Sequence, residues 1–161
     1  MTKPRKELVS VSDTPYYHIV SRCVRRTFLC GYDSQTNTNY EHRRQWIVDR
    51  IQLLSSLFSI NLCSYAIMSN HYHLVVHIDA EQTSKWCDYE VAQRWTAIYQ
   101  GPLLIQQWLS GAVMNEAQQE TVNDIINIWR ERLSSLSWYM KCLNEPIARQ
   151  ANKEDKCTGH F

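Results

Sequence analysis

The sequence predicts an α+β fold, a central antiparallel sheet with helices packed against it. Three observations carry that prediction. Residues 71–78, His-Tyr-His-Leu-Val-Val-His-Ile, alternate between an apolar set (Tyr72, Leu74, Val76, Ile78) and a second set (His71, His73, Val75, His77). That is the period of a strand with one face in a core. Residues 60–68 form a β-branched and aromatic run, and Ser69-Asn70 makes a two-residue hairpin turn, so the two strands should pair antiparallel. Apolar residues at helical spacing mark two further stretches: Trp46, Ile47, Ile51, Leu54 and Phe58, then a long seam from Val122 to Leu143.

Taken in order, residues 15–23 read as a first strand, with Pro15 at its start where no ladder donor is needed. His18, Val20 and Arg22 share one of its faces, and His18 is either a hydrogen-bonded structural residue or a functional one. Residues 31–39 read as a polar loop. Thr38 with Glu41 makes a capping box, so a helix should begin near Tyr40, with Arg43, Arg44 and Arg50 largely off its apolar stripe. Residues 79–114 read as a helical insertion after the hairpin. Asp88 caps a helix to about Tyr99, Gly101-Pro102 breaks it, and a short helix from Leu103 to Leu109 ends at Ser110-Gly111. Asn115 and Gln118 cap a long helix whose seam, Val122, Ile126, Trp129, Leu133, Leu136, Met140 and Leu143, alternates in fours and threes. Pro146 should end it near Leu143, before a polar tail from Ala148 to Lys156. The seam points to packing within the chain, with a homodimer as the alternative. The whole of 1–161 reads as one domain.

Composition narrows the function classes. An aromatic share of 11% with only four Gly and four Pro argues for folding. No apolar run approaches the roughly 18–20 residues that cross a bilayer, and the opening Met-Thr-Lys-Pro-Arg-Lys-Glu lacks the apolar stretch of a signal peptide. The six cysteines are scattered singly, as for free thiols in a reducing compartment. A cytoplasmic protein with no membrane partner is the expectation. The net charge of +1 says nothing for nucleic acid, but its distribution does. Up to Cys30 there are six basic residues, among them Arg22, Arg25 and Arg26, against two acidic ones. That modest basic patch can follow a phosphate backbone.

Histidines on the open face of a strand need a reason. Residues two apart on a strand lie about 6.6 Å apart on one face, and two such imidazoles can converge on one ion about 2.0–2.2 Å from each nitrogen. His71 and His73 are so placed, whereas His77 is about 13 Å from His73 along the strand. Two protein ligands are too few for a structural zinc, so a site with open positions fits better. Asp79 as a further ligand, in a metal-dependent hydrolase, would be about 20 Å from His73. A solvated strand face is the plain alternative.

His71-Tyr72-His73, within Tyr-Ala-Ile-Met-Ser-Asn-His-Tyr-His-Leu-Val-Val, resembles the His–hydrophobe–His motif of HUH-type tyrosine transposases, above all the single-tyrosine group that includes the REP-associated transposases. Tyr16-Tyr17-His18-Ile19-Val20-Ser21-Arg22 resembles that family's first strand. Phe28-Leu29-Cys30-Gly31 and Glu90-Val91-Ala92-Gln93-Arg94-Trp95 resemble further landmarks of a subgroup. The resemblance implies a ferredoxin-like HUH fold and binding of single-stranded or hairpin DNA. It further implies a divalent metal, Mg or Mn, on His71 and His73, and strand cleavage and joining through a covalent phosphotyrosine. It places the nucleophile on a helix downstream of residue 161, so the expectation is a truncated transposase domain, inactive alone. Within the chain Tyr139 is the candidate nucleophile, and His18, Arg22, Arg25 and Arg26 are the candidate DNA contacts. The competing expectation is a non-catalytic module whose sheet face and aromatic side chains stack unpaired bases.

Overall fold

A computed structural model describes residues 8–22 and 28–159. Arg25 and Arg26 lie outside the described residues. The sheet has three strands, β1 (Tyr16–Arg22), β4 (Ile60–Ile67) and β5 (His71–Ile78), in the order β1-β5-β4. β5 runs antiparallel to both neighbours, so β1 and β4 are parallel to each other. They are joined through helix α1 (His42–Leu57), a split β-α-β unit with β5 slotted into the middle. The turn between β4 and β5 is the predicted one, with the Met68 N–H donating to the His71 carbonyl.

One face of the sheet is the core. Tyr72, Leu74, Val76 and Ile78 of β5 are all buried, as are Ile19 of β1 and Ile60 and Ile67 of β4. Fully burying each such side chain stabilises by about 1.5–3 kcal/mol, so this face fixes the register: a one-residue slip would turn the histidines inward. Against this face lie Ile47, Ile51 and Leu54 of α1 and Phe58 just beyond it, all buried.

Residues 31–39, predicted as a polar loop, form a small hairpin of β2 (Tyr32–Asp33) and β3 (Thr38–Asn39). This removes the predicted capping box. Thr38 is paired with Asp33, and its hydroxyl donates to the Thr36 carbonyl, so α1 begins at His42 with Glu41 at the cap and no side-chain cap bond. Arg43 also departs from expectation. It shares the buried face with Ile47 one turn on, and it is 0% exposed. Its guanidinium pairs with Glu154 (3.0 Å) and Asp155, and stacks 4.2 Å from the ring centre of Tyr40.

Beyond the sheet, α2 (Gln82–Lys85), α3 (Asp88–Thr96) and α4 (Leu103–Leu109) pack on α5 (Glu116–Leu133). Cys87, not Asp88, is the N-cap of α3; Asp88 instead accepts from Arg130 of α5. Asn115 and Gln118 cap α5 reciprocally, as predicted. The predicted single helix then breaks at Ser134-Ser135. Buried Ser59 donates its N–H to the Leu133 carbonyl, ending α5, and Ser135 accepts from the Trp138 N–H to start α6 (Leu136–Glu154).

Pro146 does not end α6, which runs on through the predicted tail to Glu154. A proline lacks the N–H that would bond the carbonyl four residues back. Here that carbonyl belongs to Cys142, and Arg50 of α1 donates Nε–H to it at 2.8 Å. The orphaned acceptor is satisfied from a neighbouring helix, so the helix continues. No helix of the described residues is long and apolar enough to cross a membrane.

Candidate functional site

The second face of β5 is half-exposed along its length, and it meets exposed residues of β1. Cross-strand register sets who faces whom: Arg22 lies opposite His71, Val20 opposite His73, His18 opposite Val75 and Tyr16 opposite His77. On β4, Ala66 is opposite His73 and Asn61 opposite His77.

Three of these side chains come together near the hairpin end. The rings of His71 and His73 have centres 5.0 Å apart at an angle of 72°. His18 reaches diagonally to His73, its Nε2 2.9 Å from His73 Nδ1, the two rings nearly parallel at 14°. His71 Nδ1 is bonded to the Asn70 side-chain oxygen. With the proton on Nδ1 the ring's Nε2 lone pair is left free. In the tautomer that donates Nδ1–H to His18, His73 likewise keeps Nε2 free. Metal-binding histidines commonly have their other ring nitrogen anchored in this way. Rings each about 2.0–2.1 Å from one ion would have centres about 5 Å apart, so the His71–His73 spacing fits a shared ion. His77 stands apart, its ring centre 4.7 Å from that of Tyr16 at a tilt of 42°, and near Asn61.

The sequence put His71 and His73 on one face, and they do meet. It left His18 open between two roles, and its partner turns out to be His73. Among the described residues no three His, Cys, Asp or Glu side chains form a metal-binding group, so water or substrate oxygens would complete any coordination. Asp79 does not join; its carboxylate accepts from the Gln82 N–H beyond the strand.

The stretches around the histidines position them. Leu29 and Cys30 donate their N–H groups to the Ser69 carbonyl, clasping the turn that precedes His71. From the core side, Asn144 of α6 accepts from Tyr72 and from Ser21, tying β5 and β1 together near the same end. Glu90 and Arg94 pair on α3, and Arg94 also donates to the Ser56 and Leu57 carbonyls at the end of α1. The 28–31 stretch therefore braces the turn before His71, whereas 90–95 braces the end of α1 that leads to the opposite end of the sheet.

Tyr139 lies elsewhere. It is 0% exposed, edge-on to Phe58 with ring centres 5.4 Å apart, and burial pushes its phenol pKa up. Both circumstances oppose a phenolate at the histidines. Tyr16 is the exposed tyrosine of the open face, but it lies opposite His77, at the far end from His71.

No family model, curated protein or solved structure matches this chain.

Proposed function

We propose that the chain seats single-stranded, hairpin-bearing DNA on the open face of its sheet, as a transposase-like domain of the HUH type with His71 and His73 as ligands of a divalent ion, Mg or Mn. One observation carries the reading: two imidazoles in contact on a half-exposed sheet face, each with its other nitrogen in a hydrogen bond, and an arginine in register beside them. The sheet order and the split β-α-β unit are compatible with the ferredoxin-like HUH arrangement, and in this reading they form its core.

The roles follow from chemistry. Arg22, opposite His71, supplies a planar cation for a phosphate oxygen. Asn70 accepts from His71 Nδ1, and His18 Nε2, by accepting from His73 Nδ1, would leave Nε2 of both imidazoles available. A bound divalent ion would orient a phosphodiester and draw charge from it. The exposed ring of Tyr16, with the half-exposed His77 beside it, offers stacking surface further along the face. The burial of Tyr139 favours a second reading, in which the described residues bind DNA and leave cutting to a group outside them.

A hairpin oligonucleotide with a single-stranded flank, incubated with the protein and Mn²⁺ or Mg²⁺, tests both. Salt-sensitive binding that weakens in Arg22→Ala supports the sheet-face reading. A covalent protein–DNA adduct on a denaturing gel would favour the cutting form. Binding without adduct, unchanged in His71→Ala/His73→Ala, would favour the module that only binds. Absence of any binding would overturn the proposal.

A further inference from the structure

Away from the sheet, α3, α5, α6 and the turn at Gly101-Pro102 line an open cleft of about 340 Å³. Its volume is at the small end of the range for small-molecule sites. Trp95, Tyr99, Trp129 and Trp138 wall it. Gly101, at φ +71°, brings the backbone so close to Trp129 that a Cβ there would lie 3.1 Å from the indole.

Two cations share the cleft. The Arg132 guanidinium lies 4.1 Å from the ring centre of Trp138 and 5.4 Å from that of Trp95, and Lys141 Nζ lies 4.6 Å from Trp138. Stacking uses the flat faces of a guanidinium and leaves its rim of N–H donors available. Neither cation forms an ion pair among the described residues. Glu145, the one carboxylate lining the cleft, is taken by Arg149 on the same helix. A cationic ligand, which aromatic cages often take, would meet two positive charges here. An anion carrying a flat ring meets complementary partners on both counts, because unpaired bases stack on aromatic rings and on arginine planes.

We infer that this cleft binds one nucleotide, its phosphate on Arg132 and Lys141 and its base against the aromatic wall. The nucleotide could be free or part of a single strand; the second form rests on the DNA-binding reading above, and the first does not. No residue of the cleft belongs to the histidine face.

Tryptophan fluorescence of the full chain, titrated with thymidine 5′-monophosphate, thymidine and the oligonucleotide (dT)10, tests it. Expected is saturable quenching by the monophosphate, at least tenfold weaker for thymidine. Lys141→Met and Arg132→Lys should each weaken the monophosphate or (dT)10 several-fold, with circular dichroism confirming that both variants fold. Lys141 is exposed, so that variant is the safer for folding. If neither variant changes binding of either phosphorylated probe, or if thymidine binds as well as its monophosphate, the cleft proposal falls. Should (dT)10 bind unaltered in the cleft variants but weakly in Arg22→Ala, the sheet reading survives alone. Should the monophosphate bind through Arg132 while (dT)10 does not bind, the cleft proposal survives and the sheet reading falls.

Discussion

Two clusters of chargeable side chains sit at opposite extremes of burial. Around Arg43 a cation with no exposed surface is matched to carboxylates of Glu154 and Asp155 and to a tyrosine ring, tying the start of α1 to the end of α6. On the open sheet face His18 and His71 each touch His73 and Asn70 bonds to His71, with Nε2 of both strand-β5 imidazoles unclaimed among the described residues in the Nδ1–H tautomer. The first cluster is buried and matched in charge, and the second is accessible. A buried, charge-matched group holds the fold; an accessible one is available to bind.

The contrast can be broken by substitution. The largest loss should come from Arg43→Met, which takes the cation away from Asp155 and leaves Glu154 with His42 alone, 2.7 Å away. Removing one partner of a buried ion pair costs about 3–5 kcal/mol, and part of that is relieved here because Glu154 is 35% exposed. Urea denaturation should show the midpoint falling steeply. Next comes the inward face of β5. Leu74→Ala should cost about 2–5 kcal/mol as a buried large-to-small change, whereas His73→Ala, one residue away on the open face, should stay within about 0.5 kcal/mol, as surface changes do. Equal losses at 73 and 74 would show that the histidine face is structural after all.

A third effect depends on pH. Burial raises the pKa of the Cys142 thiol above its ordinary 9.0, and burial, with the Cys142 thiol 3.6 Å away, raises Tyr99 from 10.0 to about 12. Above pH 9 the unfolded chain therefore gives up protons that the folded chain keeps, so stability is full below that pH and declines as pH climbs toward 12. Melting temperature measured from pH 8 to 11 should show the decline, with a shallower slope in Tyr99→Phe. The smallest effect on stability, and the most specific, belongs to His18. His18→Ala should leave the melting temperature nearly unchanged yet weaken Mn²⁺ binding roughly 10–100-fold, as loss of an outer-shell partner does. Isothermal titration would measure it, and unaltered Mn²⁺ affinity would remove His18 from the site.

What could be read in advance tracks the range of the interaction. The alternation of 71–78, the Ser69-Asn70 turn, the Leu103–Leu109 helix and the Asn115–Gln118 cap are all decided by neighbours a few residues away, and all appear. The break at Ser134-Ser135 was hidden because the buried seam keeps its four–three spacing straight across the turn, from Leu133 to Leu136 and Met140. Ser135 as a cap was the available local signal. Arg43 was misread because its carboxylates are more than a hundred residues away in sequence. At the site, strand period paired His71 with His73, but the link from His18 to His73 depends on the β1–β5 register, which no local pattern reveals.

The bond from Arg50 to the Cys142 carbonyl makes positions 50 and 146 epistatic. While proline occupies 146, losing the arginine leaves a bare acceptor inside a helix. Once residue 146 carries an N–H, the helix can close its own bond and the arginine becomes dispensable. Substitutions at the pair are thus tolerated in one order and penalised in the other, which gives this helix a direction in which it can drift.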